Sequence, residues 1–314
     1  RKFANDGCWE VQVPGKTYFI YYPLDSLWVL QHKTLKAYQE KLDFADFESL
    51  YESFKKELYV SVDFFLDMYR ILFKGYDEKT GAWVWNKQMP CTVVSLFEEG
   101  CIEKGLSYLE GGPVYNIIAP HIGGLADTVN ALYAIKKLVY DEKKLSLNEF
   151  IEILKNNWEG EETLRRYVLN KYTYYGNDND EVDEIVARVL SDFADICQSF
   201  NGTTGFRFPA GVSTFGRQLE WASQRLASPH GRKAGEVLAA NCSPTPSSDK
   251  EGATAIIRSY CKADFTKIAS GAALDLKILP SSVEGKDGLQ ALMGLVRGFV
   301  ALGGFFMQPD VVDA

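Results

Sequence analysis

The chain reads NDGCWE at residues 5–10, and this stretch carries a thiol with a carboxylate two residues further on. In an extended or tightly looped backbone, residues i and i+2 point to the same side. Cys8 and Glu10 can therefore face one cavity while Trp9 points away into packing. Gly7 permits a sharp backbone turn immediately before the thiol. The stretch thus pairs a sulfur that can carry a hydrogen atom with a general base that can take a proton from the same substrate.

The composition indicates one large domain that acts on a small molecule. The chain has 314 residues, of which 46% are hydrophobic and 13% aromatic, enough for a large core. Length alone suggests about two domains, but α/β barrels of this size form one. We find no linker, so residues 1–314 are predicted to be a single domain. The net charge of −8 argues against binding to nucleic acid or to an anionic membrane, because both favour clustered Lys and Arg.

The cysteines and histidines indicate a reducing compartment and no bound metal. Six cysteines lack CxxC or finger spacing, and three histidines are too dispersed for a metal site. We therefore expect a cytoplasmic protein. No apolar run approaches the ~20 residues that span a bilayer, so no membrane association is expected. Because the chain begins with Arg1 rather than Met, we also expect that an N-terminal portion is missing.

Apolar periodicity predicts long helices separated by strands. Helices are predicted at 24–42, 47–75, 90–101, 125–138, 147–158, 161–171, 181–200, 253–260 and 288–301, and strands at 16–23, 114–120, 206–214, 272–279 and 303–306. The helix at 47–75 is predicted to bury one stripe formed by Phe54, Leu58, Val62, Phe65, Met68 and Leu72. Few hairpin signals separate the strands, which favours a parallel α/β fold.

Three further motifs suggest chemistry but are interpreted as structural. Gly100-Cys101-Ile102-Glu103 repeats the opening pattern, but on a helix residues two apart diverge, so Cys101 and Glu103 do not serve one site. The oxygen-rich stretch 174–181 lacks the glycine and the closing Glu of an EF-hand and is predicted to cap the next helix. The basic loop 231–236 lacks phosphate-binding spacing and is predicted to surround a buried Arg.

A set of motifs in fixed order then identifies a family. They are GCWE at 7–10, GGPVYN at 111–116, DTVNALYAIKKLVY at 127–140, YGND at 175–178, GRKAGE at 231–236, SP at 243–244, and GG at 303–304 leading to Gln308 and VVD at 311–313. Together they resemble the glycyl radical enzymes, the pyruvate formate-lyase and glycerol/choline/hydroxyproline lyase group of anaerobic metabolism. The resemblance spans nearly the whole chain.

The resemblance implies a fold, a cofactor and partners. The fold would be part of a ten-stranded α/β barrel, made of two half-barrels with many surrounding helices, in which Cys8 lies on a loop at the dry centre. No cofactor would be bound. Instead, a glycyl radical would be installed by an S-adenosylmethionine iron-sulfur activase, on a glycyl radical domain expected to follow Ala314. The resemblance also implies a homodimer at full length, and the chain by itself is expected to be inactive.

The mechanism implied by the resemblance begins with hydrogen transfer from Cys8 to the glycyl radical. The resulting thiyl radical takes a hydrogen atom from a substrate carbon, Glu10 removes a proton from the adjoining hydroxyl, and a neighbouring group leaves. Tyr22 stands where diol-dehydrating members carry an acidic residue, fourteen positions after the cysteine, and so becomes a candidate substrate-binding residue. Trp9 replaces the smaller aliphatic residue usual between Cys and Glu and is a second candidate.

Two alternatives to this lyase or dehydratase remain open. A formate C-acetyltransferase of the pyruvate formate-lyase kind would carry two adjacent cysteines, whereas Gly7 precedes Cys8 and Trp9 follows it. A non-catalytic barrel would use Cys8 for packing and Glu10 as a solvated or ion-paired charge. A carboxylate paired with a structural Arg, far from any cavity, would favour that last alternative.

Overall fold

The computed structural model describes residues 4–5, 10–85, 91–202 and 205–312 of the chain. The strands in this part are β1 (Ala4–Asn5), β2 (Val11–Gln12), β3 (Thr17–Asp25), β4 (Lys74–Asp77), β5 (Ala82–Trp85), β6 (Tyr115–Gly123), β7 (Gly211–Val212), β8 (Ala273–Ile278) and β9 (Phe306–Val311). The α-helices are α1 (Ser26–Gln39), α2 (Phe47–Phe73), α3 (Thr92–Ser95), α4 (Cys101–Lys104), α5 (Leu125–Ile135), α6 (Leu147–Lys155), α7 (Glu162–Lys171), α8 (Asp180–Ser199), α9 (Gln218–Ala222), α10 (Gly252–Cys261) and α11 (Gly285–Ala301).

The long strands pair in parallel, as predicted from their separation by helices. β3 and β6 run side by side from Thr17↔Tyr115 to Asp25↔Gly123. β7 pairs in parallel with the other edge of β6 at His121↔Gly211. A single parallel bridge, Val212↔Ala272, leads to β8, which pairs in parallel with β9. The order is therefore β3-β6-β7-β8-β9, an α/β architecture. A ten-stranded barrel is not established by these strands and remains a prediction.

Helices cover one face of this sheet and form the core with it. α5 follows directly from β6 and packs on α1 and α8, and all its residues are buried. Its polar residues Asp127, Thr128 and Asn130 are buried with the apolar ones, so α5 lies inside the protein rather than at its surface. The sequence 125–138 was predicted to be helical, and the observed α5 continues into a π-helical turn at Lys136–Asp141.

Helix α2 confirms the predicted helix, but its buried stripe differs from the prediction. The buried positions recur mainly every four residues and include Leu50, Phe54, Leu58, Val62, Leu66 and Phe73. Met68 and Leu72, predicted to lie in the stripe, are 48% and 57% exposed. Near its C-terminal end the helix instead turns the rings of Tyr69 and Phe73 toward strand β3. The side chains of β3 therefore decide which face of the last turns is buried.

Three predicted elements were wrong in extent. The long helix predicted at 90–101 is replaced, in the described part, by the short helices α3 and α4 with a turn between them. Gly100 has a φ of +98°, a conformation that glycine adopts readily and that interrupts a helix. The strand predicted at 206–214 shrinks to β7 with one bridge at Arg207. The last strand lies at β9 rather than at 303–306, and it is largely exposed.

Other boundaries follow the predicted capping residues. The Ser146 side chain accepts a hydrogen bond from the backbone N–H of Glu149, whose carboxylate in turn accepts from the N–H of Ser146, a capping box for α6. Asn179 caps α8 by accepting from the N–H of Glu181. The stretch 174–181 is thus confirmed as a helix cap. Its Asp178 lies within 3.0 Å of both Arg258 and Lys262.

The orientation of α2 is tested by a matched pair of substitutions. Leu58 is 1% exposed, so Leu58→Ala is expected to lower the free energy of unfolding by about 2–5 kcal/mol through lost burial and a residual cavity. Leu72→Ala, on the exposed side, is expected to change it by less than about 0.5 kcal/mol. Urea unfolding of both variants measures the difference. Equal losses would mean that the stripe predicted from sequence is the buried one.

Candidate active site

Alternation along β3 separates two sets of side chains. Tyr18 and Tyr22 point to the helices, since Tyr18 contacts Phe73 at 5.6 Å between ring centroids and Tyr22 stacks on Phe65 at 4.8 Å. Successive strand residues point to opposite faces. Tyr21 therefore lies on the face turned away from the helices. In register with it on β6 is Ala119, followed two residues later by His121.

This second face carries a small group of residues, here called the inner wall. The inner wall consists of Tyr21, Ala119, His121, Gly211 and Phe215. The Tyr21 and Phe215 rings stack with centroids 4.0 Å apart, and His121 lies 5.8 Å from Tyr21 and 5.4 Å from Phe215. Tyr21 is 37% exposed, so part of the aromatic surface remains open. The inner wall can therefore contact the apolar part of a small molecule.

His121 is the buried polar centre of the inner wall. Its ring is fully buried, and Nε2 lies 2.9 Å from Ser270 Oγ. Nδ1 makes no hydrogen bond to any residue that the structure describes. Burial lowers the pKa of His121 to about 3, so the imidazole is neutral near pH 7. A neutral imidazole can donate from one nitrogen and accept at the other.

Gly211 provides the space that the His121 ring occupies. The two residues are register partners on β7 and β6. A Cβ added to Gly211 would lie 2.5 Å from Nε2 of His121, far inside van der Waals contact. The backbone of Gly211 is not in the left-handed region, so the requirement for glycine is purely steric here. Glycine at this position therefore permits the histidine.

The partly buried carboxyl of Asp275 lies on β8 and is linked through Asn241 to Thr214, which precedes Phe215 of the inner wall. Asn241 accepts from the N–H of Thr214 at 2.9 Å and donates to Asp275 Oδ2 at 2.7 Å. Ser243 donates to the backbone oxygen of Asp275 and accepts from its N–H. Burial raises the pKa of Asp275 although the hydrogen bond from Asn241 opposes the shift. A shifted carboxyl next to an open surface is a candidate for proton transfer.

Glu10 is the described member of the predicted catalytic pair. It is 1% exposed and immediately precedes β2, whose Val11 pairs with Asn5 of β1. Cys8 and Trp9 lie outside the described residues. The prediction that Cys8 and Glu10 face one cavity therefore stays a prediction. A buried carboxylate two residues after the thiol contradicts a simple solvated charge at Glu10.

Tyr22 lies on the opposite face of β3 from the inner wall. It is 4% exposed, and its hydroxyl is 3.4 Å from the backbone oxygen of Val62 in α2. Burial raises the pKa of Tyr22, so its hydroxyl stays protonated. These contacts give the ring a packing role in the described part of the chain. Its predicted role in substrate binding remains a prediction.

The sequence motifs at 100–103 and 231–236, both interpreted as structural, make contacts that fit this interpretation. Cys101 begins α4, is buried, and has its thiol pKa raised by burial. Glu103 accepts from the N–H of Gly100 and so caps the helix. In the loop 231–236, Arg232 is 4% exposed and donates to the backbone oxygens of Glu236 and Leu226. A loop around a buried Arg is confirmed.

Sequence reasoning did not single out His121, Ser270 or Asp275 as site residues. The available signal was a histidine that ends an apolar strand, at Ala119-Pro120-His121. Ser270 is distant in sequence and is brought to His121 only by the sheet order. Asp275 alternates with leucines in the predicted strand, a pattern also produced by an exposed residue.

The described part of the chain contains neither a cluster of metal ligands nor a membrane-spanning helix. Within residues 4–5, 10–85, 91–202 and 205–312, no three His, Cys, Asp or Glu side chains are grouped as metal ligands. None of the described helices is both long and apolar enough to cross a bilayer.

Comparison with known families gives two matches. Residues 1–221 match the family described as pyruvate formate lyase-like, and residues 238–314 match the one described as glycine radical. The trans-4-hydroxy-L-proline dehydratase of Clostridioides difficile is 30% identical over 271 residues, covering 86% of this chain and 33% of that protein. The (2S)-3-sulfopropanediol dehydratase of Klebsiella oxytoca is 31% identical over 233 residues, covering 72% and 28%.

Solved structures agree with these matches. The glycerol-bound B12-independent glycerol dehydratase of Clostridium butyricum superposes with a TM-score of 0.89 at 25% identity, over 100% of this chain and 40% of that one. The hydroxyproline dehydratase of Clostridioides difficile, with substrate bound, gives 0.88 at 28% identity, over 99% and 40%. This chain spans about a third of the length of the curated relatives it matches.

The steric fit of His121 against Gly211 is tested by substitution. Gly211→Ala is expected to lower the free energy of unfolding by about 1–3 kcal/mol, because the added methyl group overlaps the ring. Gly294→Ala is the control. Gly294 lies in α11 with no heavy atom within 4 Å of an added Cβ, and alanine should stabilise that helix by about 0.5–1 kcal/mol. Destabilisation in both variants, or in neither, would contradict the contact.

The buried neutral histidine also predicts a pH dependence of stability. Between pH 6.5 and about 3, the unfolded chain carries a proton on His121 and the folded chain does not. The free energy of unfolding should therefore fall as the pH drops below 6.5, by about 2 kcal/mol from this residue between pH 7 and pH 5. Urea unfolding at pH 7 and pH 5 should show that the free energy of unfolding of His121→Gln falls by about 2 kcal/mol less than that of the unsubstituted protein. The same loss in both proteins would place His121 in contact with water or with a charge.

Proposed function

This chain belongs to the pyruvate formate lyase-like family of glycyl radical enzymes, and from that membership we propose that it supplies the thiol and the base of a radical lyase or dehydratase. The observation that carries the proposal is the pairing of Cys8 with Glu10, two residues on and buried. A carboxylate kept from water is suited to take one proton from a bound substrate rather than exchange with solvent. Several relatives are named as dehydratases.

In the proposed reaction, the unpaired electron comes from a glycyl radical stored elsewhere in the enzyme. Cys8, as a thiyl, takes a hydrogen atom from a hydroxyl-bearing carbon, so that a C–H bond breaks and an S–H bond forms. Glu10 accepts the hydroxyl proton. The resulting carbon radical forms a C=O bond and expels the neighbouring group with its bonding electron pair. That group receives the proton from Glu10, and the product radical recovers its hydrogen atom from Cys8.

We assign the inner wall to the binding of the substrate skeleton. Tyr21 and Phe215 offer a stacked apolar surface, and the neutral His121 beside them adds a hydrogen-bonding group without a charge. An apolar wall keeps water away from a carbon radical, which limits side reactions. Trp9 and Tyr22 remain proposed substrate-binding residues, Trp9 by direct contact. Of these two, Tyr22 has its ring among the helices, so we expect it to act through packing.

The surrounding assembly is proposed from the family as well. We propose that the parallel strands are part of a ten-stranded barrel, to which residues 1–314 contribute one domain. The radical would be installed by an S-adenosylmethionine iron-sulfur activase, and the enzyme would be a cytoplasmic homodimer. The match of residues 238–314 to the glycine radical family supports the radical as the cofactor.

The role of Cys8 is tested against Cys101, the other cysteine in a Gly-Cys-x-Glu sequence. In the enzyme that contains this chain, activated anaerobically, Cys8→Ser should abolish turnover and keep the glycyl radical signal. Serine's O–H bond is much stronger than S–H, so hydrogen transfer from it is steeply uphill. Cys101→Ser should keep turnover. Electron paramagnetic resonance and product formation from trans-4-hydroxy-L-proline, 1,2-propanediol and isethionate are measured together. The reverse pattern would show that Cys101 carries the chemistry.

The role of Glu10 separates elimination from acyl transfer. Glu10→Gln keeps the side-chain volume but cannot accept a proton, so product formation should fall by about 10² to 10⁴. Hydrogen exchange through Cys8 does not need the base, so substrate recovered from D₂O should still contain deuterium. Glu103→Gln, in the second Gly-Cys-x-Glu sequence, should leave product formation and deuterium incorporation unchanged. Full product formation by Glu10→Gln would exclude Glu10 as the base, and formate release from pyruvate with coenzyme A by the same variant would favour the formate acetyltransferase alternative.

A further inference from the structure

A second cavity lies away from the inner wall and has no part in the proposed reaction. It measures about 610 Å³ and shares none of its lining with the inner wall. Helix α7 contributes Arg165 and Leu169, and the loops after α9 contribute His230, Ser248 and Lys250. Cavities that bind small ligands in proteins fall in the range of about 300–1,000 Å³. This cavity is therefore large enough for an organic molecule.

His230 is a buried polar group without a hydrogen bond. Its side chain is 4% exposed, and neither ring nitrogen makes a hydrogen bond to a residue that the structure describes. Nε2 lies 3.5 Å from Asp127 Oδ1. Asp127 is fully buried and already accepts from the N–H of Ala239 at 2.7 Å and from Thr245 Oγ1 at 3.1 Å. With Nε2 turned to Asp127, Nδ1 is the nitrogen left for a ligand.

Ser248 repeats this situation on the neighbouring loop. Its hydroxyl oxygen is buried and has no hydrogen-bond partner within the described ranges. A buried polar group without a partner costs about 1–3 kcal/mol, so His230 and Ser248 in one cavity favour a ligand that satisfies both. The backbone oxygen of Ser248 accepts from Asn177 at 2.8 Å, which holds this loop against the rest of the molecule.

Cationic groups at the cavity favour a negatively charged ligand. Arg165 donates through Nε to the backbone oxygen of Gly231 at 2.8 Å and through Nη1 to Glu162 at 3.1 Å, so its guanidinium is held beside His230. Lys250 is exposed and reaches the backbone oxygen of Leu169 at 3.4 Å. Of the acidic lining residues, Glu236 accepts from the N–H of Lys233 at 2.9 Å and is thereby turned to its own loop. The lining carries three basic residues, Arg165, Arg232 and Lys250, against two acidic ones, Glu236 and Glu251.

We propose that this cavity binds a small organic carboxylate. Its oxygens accept hydrogen bonds from His230 and Ser248, and its carbon skeleton lies against Leu169 and the ring of Tyr172, which also line the cavity. In the complex the imidazole lies between two carboxylates, with Nε2 toward Asp127 and Nδ1 toward the ligand. Charge-assisted hydrogen bonds of this kind are about twice as strong as neutral ones, which favours a carboxylate over an amide.

Benzoate is the probe, and the histidine ring signals in carbon–proton NMR spectra of this chain are the readout. The chain has three histidines, so three signals are expected, and His230→Gln identifies one of them by its loss. Benzoate should shift the His230 signal saturably and leave those of His32 and His121 in place. Benzamide has the same shape without the charge and should bind at least about tenfold more weakly.

A matched pair of lysine substitutions tests the contribution of charge. Lys250→Gln should weaken benzoate binding by about three- to tenfold, while Lys56→Gln, exposed on α2 and outside the cavity, should leave it unchanged. An unmoved His230 signal at saturating benzoate would overturn the proposal. Equal shifts with benzamide would overturn the carboxylate requirement. Inorganic phosphate as effective as benzoate would show a simple oxyanion site instead of a site for an organic carboxylate.

Discussion

The parallel register of β3 and β6 is the constraint on which the rest of the site depends. Nine consecutive pairs, from Thr17↔Tyr115 to Asp25↔Gly123, determine the face to which every side chain of both strands points. A slip of one residue would exchange the two faces. Tyr22 would then leave the helices, and His121 would enter the helical core. Strand β3 therefore positions both the packing against α2 and the open aromatic surface.

The inner wall combines apolar contacts with polar groups that carry no charge near neutral pH. His121 is neutral because burial disfavours the imidazolium, and Ser270 satisfies one of its nitrogens. Because Gly211 has no side chain, this ring fits beside it. In a proposed radical reaction, such a surface orients a substrate without protonating it. The proton transfer is left to carboxyl groups, of which buried Glu10 is the proposed base and partly buried Asp275 is a further candidate.

Much of the fold could be predicted because its signals are local. Period-two and period-3.6 patterns, the Ser146 capping box and the Asn179 cap placed most helices and the parallel strands. The buried stripe predicted for α2 was wrong at Met68 and Leu72. The buried face is selected there by the rings of β3, which are distant in sequence. The pairing of His121 with Ser270 and the exclusion of Tyr22 from the inner wall depend on sheet order, which no local pattern contains. Cys8 and Glu10 were found through a family resemblance, and their joint role remains a proposal.

The central claim is that Cys8 relays hydrogen between a glycyl radical and a substrate. The most direct measurement is the electron paramagnetic resonance spectrum of the activated enzyme that contains this chain, recorded in H₂O and in D₂O. The thiol of Cys8 exchanges with solvent, so transfer from it should replace the hydrogen on the radical-bearing glycine by deuterium and collapse the hyperfine doublet. The doublet should persist in D₂O in Cys8→Ser. A doublet that persists in the unsubstituted enzyme, or one that collapses equally in Cys8→Ser, would contradict the account.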